Sequence, residues 1–318
     1  MPPSGPLTIG VDIGGTKVAA GVVDDQGRIL ARVRALTPGA SPRQVEDTVA
    51  DVVAQLRQQH DVAAVGIGAA GFIDDARSRV MFAPNLAWRD EPLRDEVAAR
   101  VGLPVVVEND ANAAAWGEFR FGAGRGERHL VAVTVGTGIG GGVVLGGALY
   151  RGRFGMGAEF GHLHLVPDGR RCGCGQRGCW EQYCSGRALR HEAREIADVD
   201  PVYGARLLQL GGGTPEGIEA PEVTKAAQEG DPAALDCFAA VGRALGQGLA
   251  DLAAVLDPGV FVVGGGVADA GELLLRPARE EFAARLTGGG HRPLAALRLA
   301  ELGNDAGLVG AADLARQG

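Results

Sequence analysis

The chain has 318 residues, enough to bury a large core and form two domains, and 46% of them are hydrophobic. Its 31 basic and 39 acidic residues give a net charge of −8 with no basic block, which leaves a nucleic-acid binder without its electrostatic footprint. The start, MPPSGPLTIGVDIGG, has no basic stretch and no long apolar core, so no signal peptide is read there and a cytoplasmic location is expected.

Strands and helical patterns alternate along the chain, which indicates an α/β architecture. The first feature is TIGVDIGGTKVAAGVVD (8–24), an aliphatic strand, a Gly/Thr turn and a second strand. Residues 43–59 follow with Val45, Val49, Val52, Val53 and Leu56 at helical spacing. AAVGIGAAG (63–71) and LPVVVEND (103–110) read as further strands. LVAVTVGTGIGGGVVLGG (130–147) echoes the first hairpin, with Thr134 aligned to Asp12 and Gly136 to Gly14, as a duplicated unit would be. The run from Leu130 to Tyr150 carries no charge, but its central GTGIGGG fits strand–turn–strand better than a lipid-facing helix, so no membrane role is expected. LGGGTPEGIEAP (210–221) reads as a surface loop. The clearest helix runs from Asp231 to Leu256, with Asp231-Pro232 as its start signal and DPG at 257–259 as its stop. GVFVVGGGV (259–267) is a strand and AGLVGAADLAR (306–316) a closing helix.

Three glycine turns at strand ends point to phosphate, because backbone N–H groups converge there without a Cβ in the way. In DIGGTK, Gly14, Gly15, Thr16 and Lys17 offer amides, a hydroxyl and a cation, and Asp12 is a candidate partner for Mg²⁺. Thr137 and Gly138 form a second cradle, and Gly264, Gly265 and Gly266 a third. The spacing is not that of a Walker A loop. In VVVENDANAAAWGEF an aliphatic strand ends in Glu108-Asn109-Asp110 ahead of an alanine-rich helix, and strand carboxyl ends are where α/β sheets bind ligands. Asp110 is a candidate general base, with helix N-cap as its other available role. Asn85, Asn109, Glu159 and Glu181 are candidates for hydrogen bonds to polyol hydroxyls.

RCGCGQRGCWE (171–181) crowds Cys172, Cys174 and Cys179 into a chain with only five cysteines. An odd count in a cytoplasmic chain argues against disulfides, and Cys-x-Cys-x4-Cys is no thioredoxin pair, so a metal site suited to zinc is the best remaining reading, with small cysteines packed in a core as the alternative. His162 and His164 upstream share a strand face, and spacing alone does not choose between them as fourth ligand. Cys184 and Cys237 are read as packed interior thiols.

Taken together, DIGGTK, END, EFGH and CGCGQRGCWE resemble the pattern of the ROK family of sugar kinases, from near residue 8 to the final helix. Within it, APNLAW, VVVENDANAAAWGE and CGCGQRGCWEQY look most like actinobacterial ATP-dependent glucokinases. The resemblance implies an actin-like ATPase (ribonuclease H-like) duplicated fold, with two domains around a hinged cleft. Residues 1–110 plus 300–318 would form the smaller domain with the phosphate loop. Residues 111–299 would form the larger, with the zinc motif and the ATP-binding glycine turns. It further implies that Asp110 is the catalytic base and that Asn85, Asn109, Glu159, His162 and Glu181 line a sugar site. His162 is selected over His164 to complete a structural zinc with Cys172, Cys174 and Cys179. The activity implied is transfer of the γ-phosphoryl group of MgATP to the 6-hydroxyl of glucose, by a homodimer or homotetramer. A family kinase for N-acetylmannosamine, N-acetylglucosamine or fructose is the nearest alternative. A non-catalytic sugar-responsive regulator is remote, since the few residues ahead of Asp12 leave no room for a helix-turn-helix domain. One departure is GAAG (68–71) where the family pattern has Gly-x-Pro-Gly, which weakens the backbone contact expected near Gly71.

Overall fold

The computed structural model describes residues 5–38, 41–83 and 88–317. The chain divides into two compact units, one of Met1–Ala132, Gly142–Ala158 and Ala300–Gly318, the other of Val133–Gly141 and Glu159–Leu299. The expected division at residue 110 differs from this grouping: 111–132 and 142–158 fall with the N-terminal unit. Helix packing, described next, is the reason for 111–132, and contacts such as Arg151 to the Asp74 and Asp75 carbonyls join 142–158 to the same unit.

In the first unit β1 (Thr8–Ile13) and β2 (Lys17–Val23) form the expected hairpin, followed by β3 (Ile29–Leu36), α1 (Pro42–Arg57) and β4 (Ala64–Ala69). A small sheet of β5 (Phe72–Ile73), β6 (Val80–Phe82) and β7 (Arg89–Glu91) precedes α2 (Leu93–Val101), β8 (Val105–Asn109) and α3 (Asp110–Phe121). The main sheet has the order β3-β2-β1-β4-β8. Strands β1, β4 and β8 are parallel, and their register sets Asp12 opposite Gly68 and Gly68 opposite Glu108. The carboxyl ends of β1 and β8 therefore deliver Asp12, Asn109 and, directly after β8, Asp110 at one end of the sheet. On α1 the expected stripe of Val45, Val49, Val52, Val53 and Leu56 is buried.

Chain order continues with β9 (Leu130–Val135), β10 (Ile139–Leu145) and β11 (Ala148–Tyr150), then α4 (Gly186–Val199), α5 (Ala205–Leu210), α6 (Ala220–Gln228) and α7 (Pro232–Leu256). It closes with β12 (Val260–Gly264), α8 (Glu272–Arg285), β13 (Ala296–Leu299) and α9 (Ala306–Gln317). A second five-stranded sheet has the order β11-β10-β9-β12-β13, which repeats the first strand for strand. The uncharged run Leu130–Tyr150 is three of these strands, not a helix. In α7 the Asp231 carboxylate accepts the Ala234 N–H at 2.9 Å and Pro232 occupies the first turn, as the start signal required. This helix is apolar and long enough to cross a membrane by length and composition, yet half of that window is buried inside its own unit, as in a core helix.

Glycine has a second use beyond turns. A Cβ on Gly10 of β1 would overlap the Leu308 carbonyl of α9, one on Gly66 of β4 the Ala311 carbonyl, and one on Gly310 the Ala113 carbonyl of α3. Backbone-to-backbone contact of this kind seats α9 on the sheet and α3 on α9, which is why 111–132 belongs to the first unit. The interior is mainly aliphatic, with Trp88, Trp180, Phe238 and Phe261 also buried, and Thr8 on β1 satisfies its buried hydroxyl on the Ala312 carbonyl at 2.8 Å.

Candidate active site and metal centre

In the first unit, the turn after β1 is closed by the Gly14 N–H donating to the Lys17 carbonyl at 2.9 Å. Thr37 braces it from β3's end, its hydroxyl donating to the Gly14 carbonyl at 2.8 Å. Gly15, Thr16 and Lys17 are exposed. Asp12, half-buried at the strand end, has its pKa pushed up to about 6, first by burial and then by the nearby Asp110 charge, with Lys17 pulling it down.

The N-cap of α3 is Asn109 rather than Asp110. The Asn109 Oδ1 accepts the Asn112 N–H at 3.0 Å, while its Nδ2 donates to the Gly71 carbonyl at 3.1 Å. Capping thus leaves Asp110 available as the first helical residue, its Oδ1 accepting the Ala111 N–H at 2.9 Å. Burial raises the Asp110 pKa, and that backbone bond opposes the rise. Despite the GAAG departure, Gly71 keeps a role only glycine can fill: its φ is +127° and a Cβ there would overlap the Phe82 carbonyl. Asn85 lies outside the described residues.

The second unit carries the other two glycine turns. Gly136 N–H donates to the Gly138 carbonyl at 3.0 Å, and the Gly136 carbonyl accepts the Gly186 N–H from the start of α4 at 2.8 Å. Gly265, at φ +88°, lies so close to Val135 that a Cβ would meet its backbone at 2.6 Å. Thr137 and Gly266 open onto a cavity of about 650 Å³ together with Arg187, Glu219, Ala220 and Lys225. Gly138, Gly264 and Gly265 do not line it; Gly138 instead abuts Glu181, whose carboxylate a Cβ at 138 would strike. The α4 and α6 residues of this wall were missed in the sequence. Their available signal was Ser185, which caps α4 by accepting the Ala188 N–H at 3.1 Å. The stretch expected to be a surface loop supplies Glu219, which pairs with Arg190 and Arg194 at 2.8 Å each.

The thiol cluster is also in the second unit. One ligand atom each from His162, Cys172, Cys174 and Cys179 lies within 4.8 Å of the others, and His164 is not of the group. Cys172 Sγ is 3.7 Å from His162 Nδ1, and Cys174 Sγ is 3.6 Å from Cys179 Sγ. A tetrahedron with bonds of about 2.3 Å has edges of about 3.8 Å, so three sulfurs and one imidazole at these spacings fit zinc. His164 pairs through its backbone with Cys179 instead, and Gly178, at φ +77°, packs on the Val166 carbonyl to close the knuckle. The 3-10 turns Phe160–His162 and Trp180–Gln182 pack together, bringing the segments of Glu159 and Glu181 side by side. Cys184 and Cys237 are buried, as expected.

The model of the ROK family matches residues 8–318. The chain is 55% identical over 311 residues to a glucokinase of Streptomyces coelicolor, covering 98% of each. It is 40% identical over 313 residues to a glucokinase of Thermotoga maritima, covering 97% of each. Among solved structures, the ROK family glucokinase from Streptomyces griseus in complex with glucose and AMPPNP superimposes with a TM-score of 0.88 at 58% identity, over 98% of this chain and 100% of that one.

Proposed function

The chain belongs to the ROK family, and from that premise we propose that it is an ATP-dependent glucokinase of the actin-like ATPase fold, converting glucose and MgATP to glucose 6-phosphate and ADP. The observation that carries phosphoryl transfer is Asp110: a carboxylate freed from capping duty, at the carboxyl end of β8, whose burial makes it a stronger base than a solvated aspartate. Glucose as acceptor is supported by the names of relatives that match nearly end to end.

In this reading the glucose 6-oxygen attacks the γ-phosphorus and its proton passes to Asp110 as the new O–P bond forms. The bond from the γ-phosphorus to the β–γ bridging oxygen breaks meanwhile, and its electron pair leaves with ADP. General-base help of this kind is worth roughly 10²–10⁴-fold. Asn85, Asn109, Glu159, His162 and Glu181 hold the other hydroxyls. Gly14, Gly15, Thr16 and Lys17 offset phosphate charge from the first unit, and Thr137, Gly138 and Gly264–Gly266 do so from the second, where the 650 Å³ cavity takes the nucleoside. Asp12 orients the Mg²⁺ of MgATP. Zinc, held by His162, Cys172, Cys174 and Cys179, supplies a structural tie, since four protein ligands leave no open position. A cytoplasmic location and a homodimer or homotetramer go with the family reading. Initial rates over glucose, fructose, N-acetylglucosamine and N-acetylmannosamine test the acceptor. Glucose is expected to have the highest kcat/KM, and preference for an acetamido sugar would overturn the assignment.

A further inference from the structure

Glu108, next to last in β8 and 1% exposed, has no part in the chemistry above. Its two oxygens are held differently: Oε1 accepts hydrogen bonds, whereas Oε2 accepts none and has only the charge of two nearby guanidinium groups. Oε1 accepts the Asn109 N–H at 2.9 Å and the Asn112 Nδ2 at 3.1 Å. Oε2 pairs with the Arg77 Nε at 3.0 Å and the Arg151 Nε at 2.8 Å. The remaining arms of Arg151 donate to the Asp74 and Asp75 carbonyls at 2.7 and 3.0 Å. Arg77 holds a left-handed φ of 54°, and its carbonyl accepts the Val107 N–H at 3.2 Å. Two arginines from distant segments thus close on one carboxylate directly ahead of the residues assigned to the sugar.

A buried ion pair of this sort is weak evidence for stability, because desolvation costs about what attraction returns, and apolar packing would fill the space as well. Its contacts instead have a direction. The Oε1 bonds fix the Asn109 backbone and the Asn112 side chain, Asn109 then caps α3 and reaches Gly71, and Asp110 follows with no loop between strand and helix. We propose that Glu108, clamped by Arg77 and Arg151, is a positioning residue that aims Asn109 and Asp110 at the acceptor sugar. This rests on the reading of Asp110 as base.

The test uses Glu108→Gln, which keeps an acceptor for Asn109 but turns an amide toward two guanidinium groups, and Arg151→Lys, which keeps the charge and loses the multi-armed clasp. Misplacement by about 1 Å costs on the order of 10²-fold in rate, so kcat/KM for glucose should fall by that order, with KM for glucose raised and KM for ATP unchanged. Hydrogen exchange in the 105–116 segment should quicken. A variant that fails to fold is replaced by the other. Wild-type glucose kinetics in a folded variant, a KM for ATP raised as much as that for glucose, or unaltered exchange would each overturn the proposal. If the wild-type chain phosphorylates no glucose, the base reading falls by itself. Exchange then decides the clamp: quickened exchange upholds it and unaltered exchange removes it.

Discussion

Asp12 and Asp110 hold their carboxyls where charge is penalised, and this adds a pH dependence to the stability of the fold. The folded state binds the Asp12 proton more tightly than the unfolded chain does, with its pKa moved from 3.8 to about 6. Stability from this group is therefore fully present below pH 3.8 and lost as pH rises through about 6. Asp12→Asn should raise Tm at pH 7.5 in metal-free buffer, a gain that vanishes near pH 4, while turnover falls. Thermal melts at the two pH values check this, and a lower Tm at pH 7.5 would contradict it. At this scale the sequence made Asp110 visible but not its freedom from capping, because a strand that runs straight into a helix puts the cap one residue earlier, on Asn109. Glu108 was only a polar strand end: its meaning lies in Arg77 and Arg151, which folding alone brings to it.

Local motifs announced themselves, and long-range packing did not. The thiol spacing is confined to eight residues, so the metal reading was available from the chain alone, although the choice of His162 came from family likeness and is matched by the cluster geometry. Metal analysis is expected to find about one zinc per chain. Chelation should lower Tm and activity together, and zinc should restore both; full activity in metal-free protein would count against a structural ion. The sequence assigns glycine a role only in turns, whereas Gly10, Gly66 and Gly310 serve backbone contact between sheet and helices. Gly66→Ala should cost about 3 kcal/mol, the upper end for overpacking, because the obstacle is the Ala311 carbonyl and not a side chain that can swing away. Chemical denaturation measures this, and an unchanged midpoint would refute the close seating of α9.

At the scale of the whole molecule, the echo between residues 8–24 and 130–147 proved to be the visible part of a repeated five-strand order. Strand patterns repeat in sequence, so duplication was legible. The grouping of 111–132 and 142–158 with the N-terminal unit was not, since the first depends on α3 packing against α9 across most of the chain and the second on contacts such as Arg151 to the Asp74 and Asp75 carbonyls. The cavity wall from α4 and α6 was equally hidden, its residues having no motif of their own. The central claim is that a single half-buried carboxylate, Asp110, takes the proton of the glucose 6-hydroxyl. Initial rates of glucose 6-phosphate formation from MgATP, for wild type and Asp110→Asn side by side, test it most directly. The account predicts kcat lower by about 10²–10⁴-fold with glucose still bound. A variant that keeps a substantial share of wild-type kcat would contradict it.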